Sequence, residues 1–558
     1  MLRPFVVLAS AFLASLTCAQ TLAWVAPIAG PGLGKAVTTD AQGNVYVCGN
    51  VNAQVDFDPG DGVASSPAQS GVNGDSYIVK YDPNGNYLWH FLVGGSSTDI
   101  AKNIVVDANG DILLSGQYTG NIDFDPGPEV VQLGASSTTD AFVLKVSAEG
   151  QLLWAQRIGG NGEDQAPGLA VDAANNVYVT GYFSSTVTFG GGAAQLVHGG
   201  GTWDAFYAKY AADGTFRWAR GIQGTGFQRG FSVACLGTDL YLHGTCNGLT
   251  TANGTHSLSL PTNVSATYLC RTDSAGNVQW LRAQQGSGNM TGEVVRTRND
   301  RVLVFGSFRN TADVDPGPGT WELVAPTSGP QTYVAVLDTG GHALWALQLQ
   351  GNIHFDAVGD VAFGPEGGVV VTCAIAVAQD FDPGPGEYLL TPPQPNDLFV
   401  ASYDADGLFQ WATIIPTGET FDTANGITVD AQGDVIVTGS FGDSAIFSTD
   451  PVVMLTTTHS STPFTAKYGP GISTGLPAVR SVPALAVVPN PAQHSITLAG
   501  VGGILDELLV LDATGRMVLR YQHVVPTHIP VGHLAPGRYH AVVLNGGTRL
   551  SAPFVVVR

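Results

Sequence analysis

Positive charge is what this chain has least of: 23 Lys and Arg stand against 45 Asp and Glu in 558 residues, a formal charge of −22. Such a polyanion is repelled by nucleic-acid phosphates and by anionic lipid surfaces, so neither is an expected partner. Charge of either sign is sparse, at 12% of residues, while 44% are hydrophobic, enough apolar surface to exclude a disordered chain. Beyond the N-terminus no apolar run is long enough to cross a bilayer. Cysteine is scarce, and the spacing of Cys48, Cys235, Cys246, Cys270 and Cys373 fits no zinc or redox pattern. Free, strand-borne thiols are expected, ahead of a Cys246–Cys270 or Cys235–Cys246 bridge. There is no His-Glu-x-x-His, P-loop or dinucleotide fingerprint, and His198-Gly199-Gly200-Gly201, though lipase-like, reads as a flexible loop. The expectation is therefore a protein that is not an enzyme. The alternative is a carbohydrate-active hydrolase or lyase using two of its many carboxylates.

What is abundant is glycine (72) and proline (32), with a tryptophan at a near-constant stride. Trp24, Trp89, Trp154, Trp218, Trp280, Trp345 and Trp411 lie 62 to 66 residues apart, and only Trp203 and Trp321 fall outside the series. A fixed period of this size marks one supersecondary unit repeated many times. Glycine stands four residues before the last six of these Trp (Gly85, Gly150, Gly214, Gly276, Gly341, Gly407) and six after the first six (Gly30, Gly95, Gly160, Gly224, Gly286, Gly351). Tyr77–Tyr81, Asp82–Asn86 and Tyr87–Trp89 read as strand, turn and strand, and Ile104–Asp107 with Ile112–Gly116 as a second hairpin. Each unit thus supplies four strands. The chain enters on a lone Trp strand, Leu22–Ile28, and leaves the repeats on Phe464–Tyr468 with no Trp strand after it. Pairing those two would complete the last unit and hide both edges. The expected fold is all-β: a seven-bladed β-propeller over residues 20–470 with its N-terminal strand closing the last blade. A tryptophan at one position of every outer strand is expected to pack between blades rather than stack on sugars, and the equally regular Lys80, Lys145, Lys209, Arg271 and Lys467 to belong to the scaffold.

The long connections between the second and third strands carry a repeated acidic turn. It appears as Asp56-Phe57-Asp58-Pro59-Gly60, Asp123-Phe124-Asp125-Pro126-Gly127, Asp313-Val314-Asp315-Pro316-Gly317 and Asp380-Phe381-Asp382-Pro383-Gly384. Alternate residues of an extended segment face one way, so the pairs Asp56/Asp58, Asp123/Asp125, Asp313/Asp315 and Asp380/Asp382 are candidate Ca²⁺ ligands. Asp-Pro-Gly is also a good turn by itself, and this plainer reading carries more weight. Asp99, Asp164, Asp356 and Asp422 share the same face, which is expected to be the working one and to favour cationic or metal-bridged ligands.

The units Asp40–Val47, Asp172–Phe183 and Asp430–Phe441 resemble bacterial SBBP-type β-propeller repeats, a resemblance that implies a fold and an extracellular setting but no ligand. Residues 1–19, with Arg3, an apolar run from Phe5 to Leu16 and Ala19, read as a secretory signal peptide. Gly469 to Ala484 is rich in turn formers, giving a linker at 471–483 and a further small β-domain, an Ig-like sandwich, at 484–558. That last segment resembles the type A C-terminal sorting domain of the Bacteroidota type IX secretion system. The matching residues are Pro489-Asn490-Pro491, the Asp512–Arg516 turn with Gly515, and Gly537 in Pro536-Gly537-Arg538-Tyr539. The resemblance implies export through that machinery to the outer surface, where the partner would be a glycan or a protein.

Overall fold

The structure, a computed structural model, describes residues 20–66, 74–95, 97–125, 127, 129–134, 136–326, 329–349, 359–384, 386–418, 422–470, 486–488, 492–499, 505–512, 516–525, 529–545 and 548–557. The signal-peptide segment, the linker, Asp356, Pro489, Asn490, Pro491 and Gly515 lie outside the described residues. Among those described, the chain is all-β, with one short 3₁₀ turn at Gly190–Gly192, and no helix is long and apolar enough to cross a membrane.

Each repeat is an antiparallel four-stranded meander, beginning with Gly32–Thr39, Val45–Val51, Asp75–Tyr81 and Tyr87–Gly95. The second strand is buried along its whole length in four units, Val45–Val51, Val177–Phe183, Val369–Ile375 and Val435–Phe441, and nearly so in the others. The innermost strands are Gly32–Thr39, Asp99–Val106, Asp164–Val171, Gln228–Leu236, Met290–Arg298, Asp360–Phe363 and Thr423–Val429. Each lies against the innermost strand of the next unit, and the last lies against the first. Gln20–Pro27 pairs antiparallel with Thr462–Pro470, with Leu22 opposite Tyr468 and Pro27 opposite Phe464, so the first strand completes the last sheet.

Adjacent sheets are held by the periodic residues. The Trp indole N–H donates to a carbonyl in the next unit's hairpin turn: Trp24 to Pro83 (3.0 Å), and Trp89, Trp154 and Trp345 to Ala148, Ala212 and Ala405 (3.1 Å each). The ring then covers that turn's glycine so closely that a Cβ on Gly85 would stand 2.6 Å from Trp24. Among the described residues, the glycine six positions after the Trp has its own reason. The long loop of the following unit pairs there with the outer strand, Ile122 with Gly95, Val187 with Gly160 and Ala312 with Gly286, and a Cβ on Gly160 would lie 1.8 Å from the Thr186 carbonyl. The periodic cations also serve the scaffold: Lys145 sits 2.7 and 2.9 Å from Asp107 and Asp111, and Lys467 sits 2.8 and 3.0 Å from Asp430 and Asp434. Cys48, Cys235, Cys246, Cys270 and Cys373 are free, and four of them are buried.

The final segment forms two sheets: Ala486–Val488, Ser495–Ala499 and Ile529–Pro530 in one, and Leu505–Asp512, Met517–Val524, Gly537–Asn545 and Thr548–Val556 in the other. Ile496 and Leu498 of the first share a buried cluster with Leu508, Val510, Val543 and Phe554 of the second.

Candidate functional site

The four acidic turns have one geometry. The first carboxylate of each accepts from the backbone N–H of the second Asp and of the residue eight positions on, as Asp56 Oδ1 does from Asp58 (3.1 Å) and Ala64 (2.8 Å). Asp123, Asp313 and Asp380 do the same for Asp125 and Val131, Asp315 and Trp321, and Asp382 and Tyr388. The second carboxylate caps the following glycine at 2.7 to 2.8 Å: Asp58 to Gly60, Asp125 to Gly127, Asp315 to Gly317 and Asp382 to Gly384. The residue between the acids, Phe57, Phe124, Val314 or Phe381, is buried. Each motif is thus a double Asx turn that closes a loop hairpin and pins an apolar side chain under it. One oxygen of every carboxylate in these pairs is committed to the backbone. Among the described residues no group of three or more His, Cys, Asp and Glu is placed to hold a metal ion.

Asp99, Asp164 and Asp422 are buried at the head of the innermost strands, not presented on the surface. Burial, reinforced by Asp75, pushes the Asp99 carboxyl up to about 8, and burial with Asp140 does the same to Asp164. In the final segment Asp512 accepts from the Arg516 N–H (3.1 Å) and Gly537 opens a strand. The 471–475 run matching Gly-x-Ser-x-Gly lies outside the described residues.

A different site emerges where the innermost strands meet. They enclose a cavity of ≈ 750 Å³ to which every one of them or its leading residue contributes. Six of these strands carry a β-bulge at the same point, where two residues face one on the second strand. The extra residue is Lys35, Lys102, Pro167 (with Ala166), Phe231, Glu293 or Asn425, and each of those six lines the cavity. A bulge re-aims the side chain it adds, and here it turns an otherwise packed strand toward the axis. The repeated glycine of the second strand makes this possible. A Cβ on Gly49, Gly116, Gly181, Gly244, Gly306 or Gly439 would come within 1.8 to 2.2 Å of the bulged strand's carbonyl. In the sixth unit, where Cys373 replaces that glycine, the inner strand supplies Gly359 instead, and a Cβ there would lie 2.9 Å from the Cys373 Cβ.

The charge of this cavity opposes that of the chain. Lys35, Lys102, Arg229, Arg296 and Arg309 line it, against Glu293 and Asp360. Asp360 is spent within the wall, accepting from Arg296 (2.9 Å), Val361 (2.8 Å) and Ile427 (3.1 Å). Burial and Asp360 push the Glu293 carboxyl up to about 8, so it is largely neutral at pH 7. Arg229 packs its guanidinium 5.3 Å from the Tyr182 ring and 5.2 Å from that of Trp203, one of the two tryptophans outside the periodic series. Sequence reasoning missed this site because it tracked what repeats. The signal was the reverse: a position framed by recurring residues that reads Lys, Lys, Pro, Phe, Glu, Gly, Asn around the units.

The SBBP β-propeller repeat profile matches residues 153–182. An uncharacterized WD repeat-containing protein of Acanthamoeba polyphaga mimivirus is 23% identical over 68% of this chain and 32% of its own length. The regulatory protein FlaEY of Caulobacter vibrioides is 28% identical over 32% of this chain and 18% of its own. The chain therefore spans a third or less of these relatives. Among solved structures, a Dyadobacter fermentans protein of unknown function superposes with TM-score 0.34 at 11% identity, covering 81% of this chain and 99% of that one. An ulvan lyase of the polysaccharide lyases does so with TM-score 0.39 at 13% identity, covering 79% and 97%. Together the profile and the WD-repeat relative make this a β-propeller repeat protein.

Proposed function

We propose that this chain is a secreted or cell-surface binding scaffold: a seven-bladed propeller that takes its ligand in the axial cavity, followed by an Ig-like export tail. The observation that carries the binding reading is the ring of bulges, which places variable side chains at one level of an otherwise repetitive wall. Support for the blade count comes from the cyclic contact of the innermost strands and from the pairing of Gln20–Pro27 with Thr462–Pro470. Purified protein passed over a panel of immobilised polysaccharides tests the binding reading. Retention without product, weakened in Asn425→Trp, which puts a bulky ring into the cavity, is the expected result. Retention unchanged by that substitution would move the site to the loops. Release of shortened products would favour the alternative, a carbohydrate-active lyase or hydrolase working on the same scaffold. Calcium enters this reading through the acidic turns, whose Oδ2 atoms would hold it, and a rise in melting temperature with Ca²⁺ that Asp58→Asn and Asp125→Asn remove would support it.

For export, the reading rests on the sorting-domain motifs and on a tail with its own two-sheet core. Deleting 484–558 should leave the protein in the periplasm. Unaltered surface display would overturn the assignment.

A further inference from the structure

The cavity is chemically specific beyond its position. Its cations are concentrated in a molecule that has few: of 23 Lys and Arg in the chain, five line this one space, while the formal charge elsewhere is strongly negative. Lys35 and Lys102 come from neighbouring bulges on adjacent innermost strands, and Arg229 is the second residue of its strand, two positions before the bulge residue Phe231. Beside them stand flat apolar faces, Phe231 from its bulge and Tyr182 from the second strand, whose rings meet edge to face at 5.8 Å. The rest of the wall is rich in amides and hydroxyls, among them Asn103, Asn289, Thr291 and Asn425. A ligand matched to this wall has negative charge, many hydroxyls and a ring with an apolar face, and the volume lies in the range of ordinary small-ligand sites, roughly 300–1,000 Å³.

We infer that the axial cavity binds an acidic saccharide, its carboxylate or sulfate groups held by Lys35, Lys102 and Arg229 and a sugar ring stacked on Phe231. This rests on the cavity being the binding site. The Tyr182 and Trp203 rings hold the Arg229 guanidinium in place by cation–π packing, so its charge is fixed before the ligand arrives. Cations recessed in a cleft of low-dielectric walls focus their field, which offsets the repulsion of an anion by the acidic exterior. The hydroxyl-bearing wall supplies what a bare anion site would not need.

Titration calorimetry on the full chain, in 50 mM NaCl, tests the inference with four probes: trigalacturonate, a sulfated galactotriose, galactotriose itself, and sodium sulfate. One acidic trisaccharide should bind at least tenfold more tightly than galactotriose, weaken at least tenfold in 0.5 M NaCl, and outcompete free sulfate. Which of the two binds identifies the charged group. Lys35→Gln with Lys102→Gln should weaken it about tenfold, and Phe231→Ala should weaken acidic and neutral sugars alike. Thermal unfolding identifies folded variants, and single Lys35→Gln replaces the pair if the pair unfolds. Galactotriose binding as well as its charged forms, sulfate alone binding as well, no binding by either acidic sugar, or full affinity in the lysine variants would each overturn the inference. Asn425→Trp separates the two layers. A neutral sugar blocked by it leaves the cavity as the site and removes only the acidic ligand. An acidic sugar unaffected by it removes the cavity reading itself.

Discussion

At the scale of single residues, the tryptophan of one unit and the glycine of the next are one device. Gly85 has φ +82° and no room for a Cβ under Trp24, so Gly85→Ala meets both a left-handed backbone and an aromatic ring fusion. Its expected cost is about 2 kcal/mol, read as a lower urea midpoint with unchanged slope. Gly433, also at positive φ (+88°) but with nothing within 4 Å of its Cβ position, should cost less on the same substitution, about 1 kcal/mol. The buried acids give a second residue-scale prediction. Asp99 titrates near 8 in the folded chain and near 4 when unfolded. The unfolded chain gives up that proton first, so stability is fully present below about pH 4 and falls as pH rises toward 8. Asp99→Asn should therefore gain stability over the natural chain at pH 8 and show no such gain at pH 4, in paired denaturant titrations. The tryptophan and glycine positions were legible in the letters because repetition exposes them. Their pairing across units was not, because the contact joins positions about sixty residues apart that share no local pattern.

At the scale of elements, the acidic loop is a clasp. Its hairpin pairs with the outer strand of the preceding unit, as Ile122 and Asp123 do with Gly95 and Gly94, and the apolar residue between its acids seals the space beneath. Asp123→Ala removes the acceptor for two backbone N–H groups and should destabilise by about 1–3 kcal/mol, while Asp123→Asn, which keeps an oxygen in place, should cost less. Equal losses in thermal unfolding would refute this account of the turn. Both features of the motif, two acids one residue apart and Pro-Gly after them, were visible in sequence, where the plain turn already carried more weight than a calcium pair. The hydrogen bonds show the turn, made through Oδ1 of each acid. The bulges were hidden for another reason: one extra residue breaks the alternation of buried and exposed positions by which a strand is recognised. Lys35 and Glu293 then read as ordinary charged residues of a strand. The shortened turn at Asn299 and Asp300, both at positive φ (47° and 59°), likewise looks degenerate in sequence and is a tight two-residue hairpin turn.

At the scale of the whole molecule, the axial cavity runs against the charge of the chain: five cations and two acids line it, in a chain of 23 cations and 45 acids. The entry and exit strands of the repeat region were legible because one was surplus at the front and one missing at the back, and the structure pairs them in antiparallel register. Removing residues 20–27 should leave Thr462–Pro470 as an open edge and cause concentration-dependent association, measured by sedimentation, that the intact chain does not show.

That shared last sheet also sets an order of events. The ribbon that finishes it is the first part of the repeat region to leave a ribosome or a translocon, and its partner is the last. Every other sheet can form from neighbouring segments as they emerge, but this one must wait for the most distant contact in the molecule, the slowest kind to make. Assembly is accordingly gated by arrival of the far end, and an interrupted chain would be stranded with its ribbon unmatched.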